Sequence, residues 1–219
     1  MDFKQIVRDV LLTEANELER AAQNISFDIE KAIDLIINCK GKLIISGVGK
    51  SGLVGTKIAA TLASTGTSSF FLHPTEAMHG DLGMIAKNDI VLLISNSGSS
   101  SEIINVIAPL KKIGSRLIAM TGNPGSPLAN EAELVINVGV EKEACPLGLA
   151  PTTSTTATLV MGDALSICLM ERRNFKAENY GLYHPGGALG RQLLSRVKDE
   201  MTSGIPKVYE NTLFKDVIY

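Results

Sequence analysis

Short apolar runs alternate with amphipathic stretches along the first 140 residues. The short runs predict β-strands, and the stretches with apolar residues three and four apart predict helices. Strands are predicted at 42–46, 68–72, 90–94, 116–120 and 134–138, and helices at 2–23, 27–38, 53–64 and from Ile103 onwards. Strands that alternate with helices are typical of a parallel sheet covered on both faces. The pattern therefore predicts an α/β protein.

A different pattern begins after residue 140. An irregular stretch with prolines and a glycine, 141–151, precedes a predicted helix from Thr152 to Arg173. The middle of this helix is apolar over most of its circumference, so it must be buried on nearly all sides. A chain of 219 residues does this most simply by packing the helix against another subunit. We therefore expect a homo-oligomer.

Two polar loops follow the first and third predicted strands. They are GVGKSG at 47–52 and SNSGSSS at 95–101. In a sheet with the strand order 2-1-3-4-5 the order reverses between these two strands, and ligands bind beyond the strand ends at such a reversal. A helix start offers unpaired N–H groups, and serine hydroxyls add donors. We predict a phosphate site there, with Lys50 as a nearby cation and Glu102 beside it.

The glycine spacing also admits two nucleotide-binding interpretations. Glycines at 47, 49 and 52 match the dinucleotide fingerprint, but that site needs an acid about 20 residues further on, where Leu72 and His73 stand. A P-loop would need glycine at position 44, which is Ile44, so that interpretation fails.

The loop serines and Glu102 also have structural explanations. The serines can act as helix caps, and Glu102 considered alone is equally well explained as a complement to the helix dipole.

Composition and charge limit the classes of function. A net charge of −2 gives no electrostatic case for nucleic acid or acidic membranes. We expect no secretory leader and no apolar run near the ~20 residues that span a bilayer. Cys39, Cys145 and Cys168 are far apart, which favours free thiols in a reducing cytoplasm. The three histidines do not match a metal-binding pattern, so no cofactor is expected.

Five segments together resemble a known family. They are SGVGKSG, HPTEAMHGDLGM, ISNSGSSSEI, KEACPLGLAPTTSTTATLVMGDAL and YHPGGALGR. They closely resemble the D-arabinose 5-phosphate isomerases of the sugar isomerase (SIS) domain family. The SxSG loop by itself indicates only the SIS family, whereas the long fourth segment is far more specific and indicates these isomerases. The resemblance covers about residues 1–195 and implies a five-stranded α/β/α sandwich and a tetramer with shared active sites.

The resemblance also implies a reaction. D-ribulose 5-phosphate and D-arabinose 5-phosphate interconvert through a cis-enediol, the first step towards 3-deoxy-D-manno-octulosonate (Kdo), a lipopolysaccharide sugar. The expected catalytic residues are Lys50, His79, Glu102, Glu143 and His184. The expected phosphate ligands are Ser95, Asn96, Ser97 and Ser100, with Gly47, Gly49 and Ser51 in the substrate loop.

Each of these catalytic residues has an expected part in the chemistry. Isomerisation needs a base over the carbons, an acid for the oxygens and a cation for the enediolate. We expect Glu102 to be the base, with His184 and His79 handling oxygen protons or ring opening. Lys50 would stabilise the enediolate, and Glu143 would orient a partner. No metal is required, and zinc bound by His79 and His184 is expected to inhibit.

The last residues are expected to belong to a further module. Relatives commonly continue into a pair of cystathionine-β-synthase (CBS) modules, and 197–201 and 213–218 look like the opening of the first. We therefore expect an SIS domain at 1–195, a linker and the start of a CBS module at 196–219, and a truncation of a longer protein. Two alternatives stay open: another SIS isomerase, such as a 6-phospho-3-hexuloisomerase, and a non-catalytic sugar-phosphate sensor.

Overall fold

The protein divides into two compact units, residues 1–176 and 177–219. The computed structural model describes residues 1–202, 204 and 207–217, and for 188, 189, 216 and 217 it describes the backbone alone. The first unit contains the sheet and seven of the described α-helices. The two predicted polar loops both lie in this first unit.

Five strands form one parallel sheet in the order β2-β1-β3-β4-β5, which confirms the predicted order and the α/β class. The strands are β1 (Leu43–Gly47), β2 (Ser69–Phe71), β3 (Ile90–Ile94), β4 (Arg116–Thr121) and β5 (Leu134–Asn137). β1 and β3 stay in register to their ends, where Gly47 lies opposite Ile94. The loops that follow these two strands therefore leave the sheet side by side, at the point where the strand order reverses.

Helices cover both faces of the sheet. They are α1 (Phe3–Gln23), α2 (Asp28–Ile37), α3 (Gly49–Ser64), α4 (Pro74–Met78), α5 (Ser101–Ile113), α6 (Pro127–Glu131) and α7 (Thr153–Arg173). Alternate residues of the strands point to opposite faces: Ile45 and Leu92 pack with α2, α3 and α7, whereas Ile44 and Leu93 pack with α4, α5 and α6. This gives the three layers of an α/β/α sandwich. α1 packs on the outside against α7.

Helix α7 lies in the core of its layer. A Cβ on Gly162 would lie 2.4 Å from the Ile58 side chain, so the contact with α3 requires glycine here. We expected no segment able to cross a membrane, but α7 is long and apolar enough by length and composition alone. Its buried Ser166 and its packing on α3 are typical of the core helix of a globular unit. Its outer side exposes Val160 (42%) and Ile167 (55%).

The second unit consists of short helices. They are α8 (Ala177–Tyr183), α9 (Ala188–Leu194), α10 (Val197–Glu200) and α11 (Phe214–Val217). The predicted domain boundary at residue 195 falls inside this unit, and the assignment of 1–195 and 196–219 to separate domains stays a prediction. The two segments compared with a CBS module include α10 and α11, and Ile218 lies outside the described residues.

Candidate active site

The chain turns sharply between β1 and α3 because glycines flank the turn. Gly49 has a φ of 57°, in the left-handed region that favours glycine. A Cβ on Gly52 would lie 2.8 Å from the backbone oxygen of Gly47, so the helix can approach the strand this closely only with glycine there. As a result α3 begins at Gly49, earlier than predicted. Lys50 and Ser51 therefore lie in the first turn of a helix, and Lys50 is exposed.

The loop after β3 is held in place by its own hydroxyls. Ser95 is buried, and its Oγ lies 3.0 Å from Oγ of Ser100 and accepts a hydrogen bond of 3.1 Å from the N–H of Gly98. Gly98 has a φ of 65°, and a Cβ there would collide with Oγ of Ser126. These contacts fix the shape of the loop. The serine at position 97 remains exposed.

A cavity of about 300 Å³ lies between these two loops. It is lined by Val48, Lys50, Ser51, Ile94, Ser95, Asn96, Ser97, Ser100, Pro151, Ser154, Thr155 and Thr158. Among the described residues, the N-cap side chains of α3 and α5 make no cap hydrogen bond. Although the Glu102 carboxylate contacts its own N–H, the partial positive charge of both helix starts is available to an anion. The cavity brings together the four predicted phosphate ligands, Lys50 and Ser51. Gly47 and Gly49 shape the adjoining turn without lining the cavity.

Glu102, the predicted base, lies in the first turn of α5 and is exposed. Its own backbone N–H lowers the pKa of this carboxyl, and the hydroxyl of Ser101, 3.0 Å from Oε2, lowers it further. The charge of His73 acts in the same direction. Glu102 is therefore ionised at neutral pH and can accept a proton. His73 was not among the predicted site residues, and its proximity to Glu102 results from the fold.

Glu143 caps the N-terminus of α7. Its Oε2 accepts hydrogen bonds from the N–H of Thr152 (2.8 Å), the hydroxyl of Thr152 (3.0 Å) and the N–H of Ser154 (3.2 Å). Burial alone would raise the pKa of Glu143, but the nearby Ser154 hydroxyl and these donors outweigh it and lower the pKa. Glu143 is thus a fixed anion that joins the preceding loop to the helix.

Thr152 also connects the preceding loop to the start of α7. The hydroxyl of Thr152 accepts hydrogen bonds from the N–H groups of Ala144 (3.0 Å) and Cys145 (3.3 Å). Further back, the carboxylate of Glu17 on α1 accepts a hydrogen bond of 3.0 Å from the N–H of Glu141. These contacts fix the segment 141–145 relative to α1 and α7. They explain how an irregular loop holds Glu143 in one place.

The first turns of α7 form a third wall of the cavity that the sequence did not predict. Pro151, Ser154, Thr155 and Thr158 all line the cavity with the two predicted loops. The signal in the sequence was a run of hydroxyl residues, TTSTT, at a helix start. Its position could not be read from local sequence, because it depends on how α7 crosses the sheet end.

The two predicted catalytic histidines lie in different compact units. His79 ends α4 in the first unit and is exposed. His184 belongs to the second unit, where its ring stacks on Tyr180 at 3.8 Å. Its Nδ1 lies 2.9 Å from the Tyr180 carbonyl oxygen, so Nδ1–H donates and Nε2 keeps its lone pair in the neutral ring. Among the described residues, no three His, Cys, Asp or Glu side chains converge to hold a metal.

The fold and the cavity define a class of protein. Residues 35–168 match the model of the SIS domain family, and the chain belongs to that family. Individual proteins similar to the chain give a narrower comparison than the family. The chain is 52% identical over 214 residues to arabinose 5-phosphate isomerase KdsD of Pseudomonas aeruginosa, covering 97% of this chain and 66% of that protein. It is 52% identical over 219 residues to KdsD of Escherichia coli K12, covering 99% of this chain and 67% of that protein.

A solved structure is similar over most of the chain. The Escherichia coli CFT073 protein c3406 in complex with arabinose 5-phosphate superposes with a TM-score of 0.81 at 43% sequence identity. The match covers 84% of this chain and 100% of that one. The chain itself spans about two thirds of the length of the curated relatives named above.

Proposed function

We propose that the protein is an aldose–ketose isomerase that interconverts D-ribulose 5-phosphate and D-arabinose 5-phosphate. The observation that carries the proposal is the cavity itself: two uncapped helix starts, four serine-loop residues and a lysine meet at one end of the sheet. The identity of 52% to two KdsD proteins supports the choice of substrate. So does the similarity to a structure in complex with arabinose 5-phosphate.

The phosphate is placed by charge. The start of α5 and the hydroxyls of Ser97 and Ser100 offer donors, and Lys50 supplies a positive charge on the facing helix. Anchoring the phosphate at this end fixes the distance from the sugar carbons to Glu102, which lies in the first turn of the same helix. Such positioning turns an encounter between two groups into a reaction within one complex.

The chemistry then moves one proton. Glu102 removes the proton from the carbon next to the carbonyl and returns it to the neighbouring carbon, through a cis-enediol. His184 and His79 transfer oxygen protons or open the sugar ring. Lys50 stabilises the enediolate, and Glu143 orients its neighbours from its place at the start of α7. This scheme requires no metal.

The proposal is tested by incubating the protein separately with D-arabinose 5-phosphate, D-ribulose 5-phosphate and 3-hexulose 6-phosphate and following interconversion by NMR. We expect turnover of the pentose pair alone. Turnover of the hexulose phosphate would favour a 6-phospho-3-hexuloisomerase. Binding of the pentose phosphates with no conversion would favour a regulatory sugar-phosphate module.

The base assignment has its own test. Glu102→Gln should lower kcat by a factor of about 10²–10⁴, the usual contribution of a general base, and should abolish exchange of the transferred proton with deuterated solvent. Glu141→Gln is the matched control, because that carboxylate is 74% exposed and pairs with Arg20 at 3.8 Å. Turnover and exchange near the wild-type values in Glu102→Gln would rule out this base and put His79 or Glu143 next in line.

A second part of the proposal concerns the oligomeric state, the compartment and the pathway of the enzyme. We propose a cytoplasmic homotetramer with shared active sites that supplies the Kdo pathway, in a longer protein with CBS modules. The oligomer is supported by exposed apolar side chains on two packed helices: Val7 and Leu11 on α1, and Val160 and Ile167 on α7. Sedimentation analysis that finds a concentration-independent monomer would count against it.

A further inference from the structure

Ser154 has an unused hydroxyl at the wall of the cavity. Four buried hydroxyls lack a hydrogen-bond partner among the described residues, those of Ser46, Thr67, Ser115 and Ser154. Of these four, Ser154 alone lines the cavity, and its residue is 1% exposed. A buried hydroxyl without a hydrogen-bond partner destabilises the fold, so its retention at a binding cavity calls for an explanation.

The neighbouring carboxylate orients the Ser154 hydroxyl. That hydroxyl acts as a donor towards the Glu143 carboxylate and lowers its pKa, although the contact does not reach the geometry of a full hydrogen bond. The negative charge still attracts the positive end of the O–H dipole. The lone pairs of Ser154 Oγ are therefore left for a group that donates a hydrogen bond.

We infer that Ser154 is a substrate-binding residue whose Oγ accepts a hydrogen bond from a hydroxyl of the sugar, and that Glu143 positions it for this. A phosphate dianion has no proton to donate, and the Glu143 charge repels it. Sugar hydroxyls donate readily and carry no charge. The inference rests on the proposed function. It assumes that one sugar phosphate binds with its phosphate at the loop after β3 and its sugar at the start of α7.

The experiment measures affinity. Because the wild type converts the sugar phosphate, its dissociation constant is an apparent value for the pentose phosphates at equilibrium. The dissociation constants of D-arabinose 5-phosphate and of inorganic phosphate are measured by calorimetry for the wild type, Ser154→Ala and Ser166→Ala. Ser166 is the matched control, since it lies on the same helix, is equally buried and donates its hydroxyl to the Gly162 carbonyl (2.9 Å). Ser154→Cys is the second variant, because it keeps the side-chain size and removes most of the hydrogen-bonding power.

We expect Ser154→Ala and Ser154→Cys to weaken binding of the sugar phosphate by about three- to tenfold, the effect of one uncharged hydrogen bond. Inorganic phosphate should bind as in the wild type, and Ser166→Ala should change neither ligand. The inference is overturned if Ser154→Ala binds the sugar phosphate like Ser166→Ala. An equal loss of affinity for inorganic phosphate also overturns it, because Ser154 would then hold the phosphate.

A double-mutant cycle tests the part of Glu143. In a Glu143→Gln background the charge that orients the hydroxyl is gone, so Ser154→Ala should cost clearly less affinity than in the wild type. An equal cost in both backgrounds would remove Glu143 from the inference. Absence of turnover in the wild type would refute the proposed reaction, whereas these affinities would still decide whether Ser154 contacts the sugar.

Discussion

Replacing Glu143 by glutamine should destabilise the first unit, because it removes the charge that holds the start of α7. The substitution keeps the size of the side chain and one oxygen acceptor. It removes the negative charge that now accepts hydrogen bonds from two backbone N–H groups and one hydroxyl, at 2.8–3.2 Å. The perturbation is therefore electrostatic rather than steric.

The magnitude follows from those contacts. A hydrogen bond to a charged group contributes about 1.5–3 kcal/mol to the free energy of unfolding, against about 0.5–1.5 for a neutral one. A carboxylate at a helix start adds roughly 0.3–1 kcal/mol through the helix dipole. Since the three donors share one oxygen their contributions do not add, and we expect a loss of about 1–2 kcal/mol. For a protein of this size that lowers Tm by roughly 2–8 °C.

The pH dependence gives a sharper test than the size of the loss. The folded protein lowers the pKa of Glu143 below its ordinary value of 4.5. Its stabilisation is therefore fully present above that value and is lost as the pH falls through the lower folded pKa. Thermal unfolding of the wild type and Glu143→Gln should differ by a constant amount near neutral pH and converge in acid. Glu141→Gln should match the wild type, since Glu141 is exposed.

Two results would refute this reasoning. One is a difference between the wild type and Glu143→Gln that persists unchanged into acid. The other is an equal effect of Glu141→Gln, which would mean that any loss of negative charge near α1 destabilises the unit. Protein concentration must be held constant throughout, because association shifts Tm by mass action.

Three further predictions concern the loops and the outer surface. Lys50→Met should lower kcat/KM by about 10²-fold, since it removes one charge that stabilises the transition state, and steady-state kinetics will show it. Gly49→Ala should lower the free energy of unfolding by about 1–2 kcal/mol in urea titrations, because its φ of 57° strains an alanine. Ile167→Glu should shift sedimentation towards the monomer, and an unchanged oligomer would place the interface away from Val160 and Ile167.

The sheet was predictable because its strands are buried on both faces. A strand inside a parallel sheet reads as a continuous apolar run, and the predicted strand at 90–94 is found at Ile90–Ile94. The predicted helix starts were less accurate. α5 begins at Ser101, whereas the apolar spacing predicted a helix only from Ile103 onwards. The first turn of such a helix is polar because its unpaired N–H groups favour hydroxyl and acidic side chains, so hydrophobic periodicity misses it.

Part of the candidate site was predictable for a topological reason. The two loops were placed together because the strand order reverses between β1 and β3. The wall formed by α7 was not predictable, since it depends on hydrogen bonds between Glu143 and the helix start some nine residues later. Local sequence shows the hydroxyl run of Thr152 to Thr156 but not the carboxylate that orients it. The pairing joins a loop residue to a helix start nine residues later, and neither periodicity nor spacing shows it.

Glu143 and Glu102 have different proposed roles because their surroundings differ. Glu143 has one oxygen occupied by three donors, so protonating it would break the contacts that hold α7, and it is a weaker candidate base than Glu102. Glu102 is exposed and has a lowered pKa in the free protein. A phosphate bound at the start of α5 brings negative charge close to Glu102, which favours its protonated form and raises its pKa.

Substrate binding should therefore make Glu102 a stronger base at the moment when it is needed. The acid limb of the pH profile of kcat/KM reports the free protein, and that of kcat reports the complex. We expect the kcat limb to lie at higher pH, and we expect Glu102→Gln to lose both limbs. Coincident limbs would show that the phosphate does not tune the base, because the bound and free forms would then share one pKa.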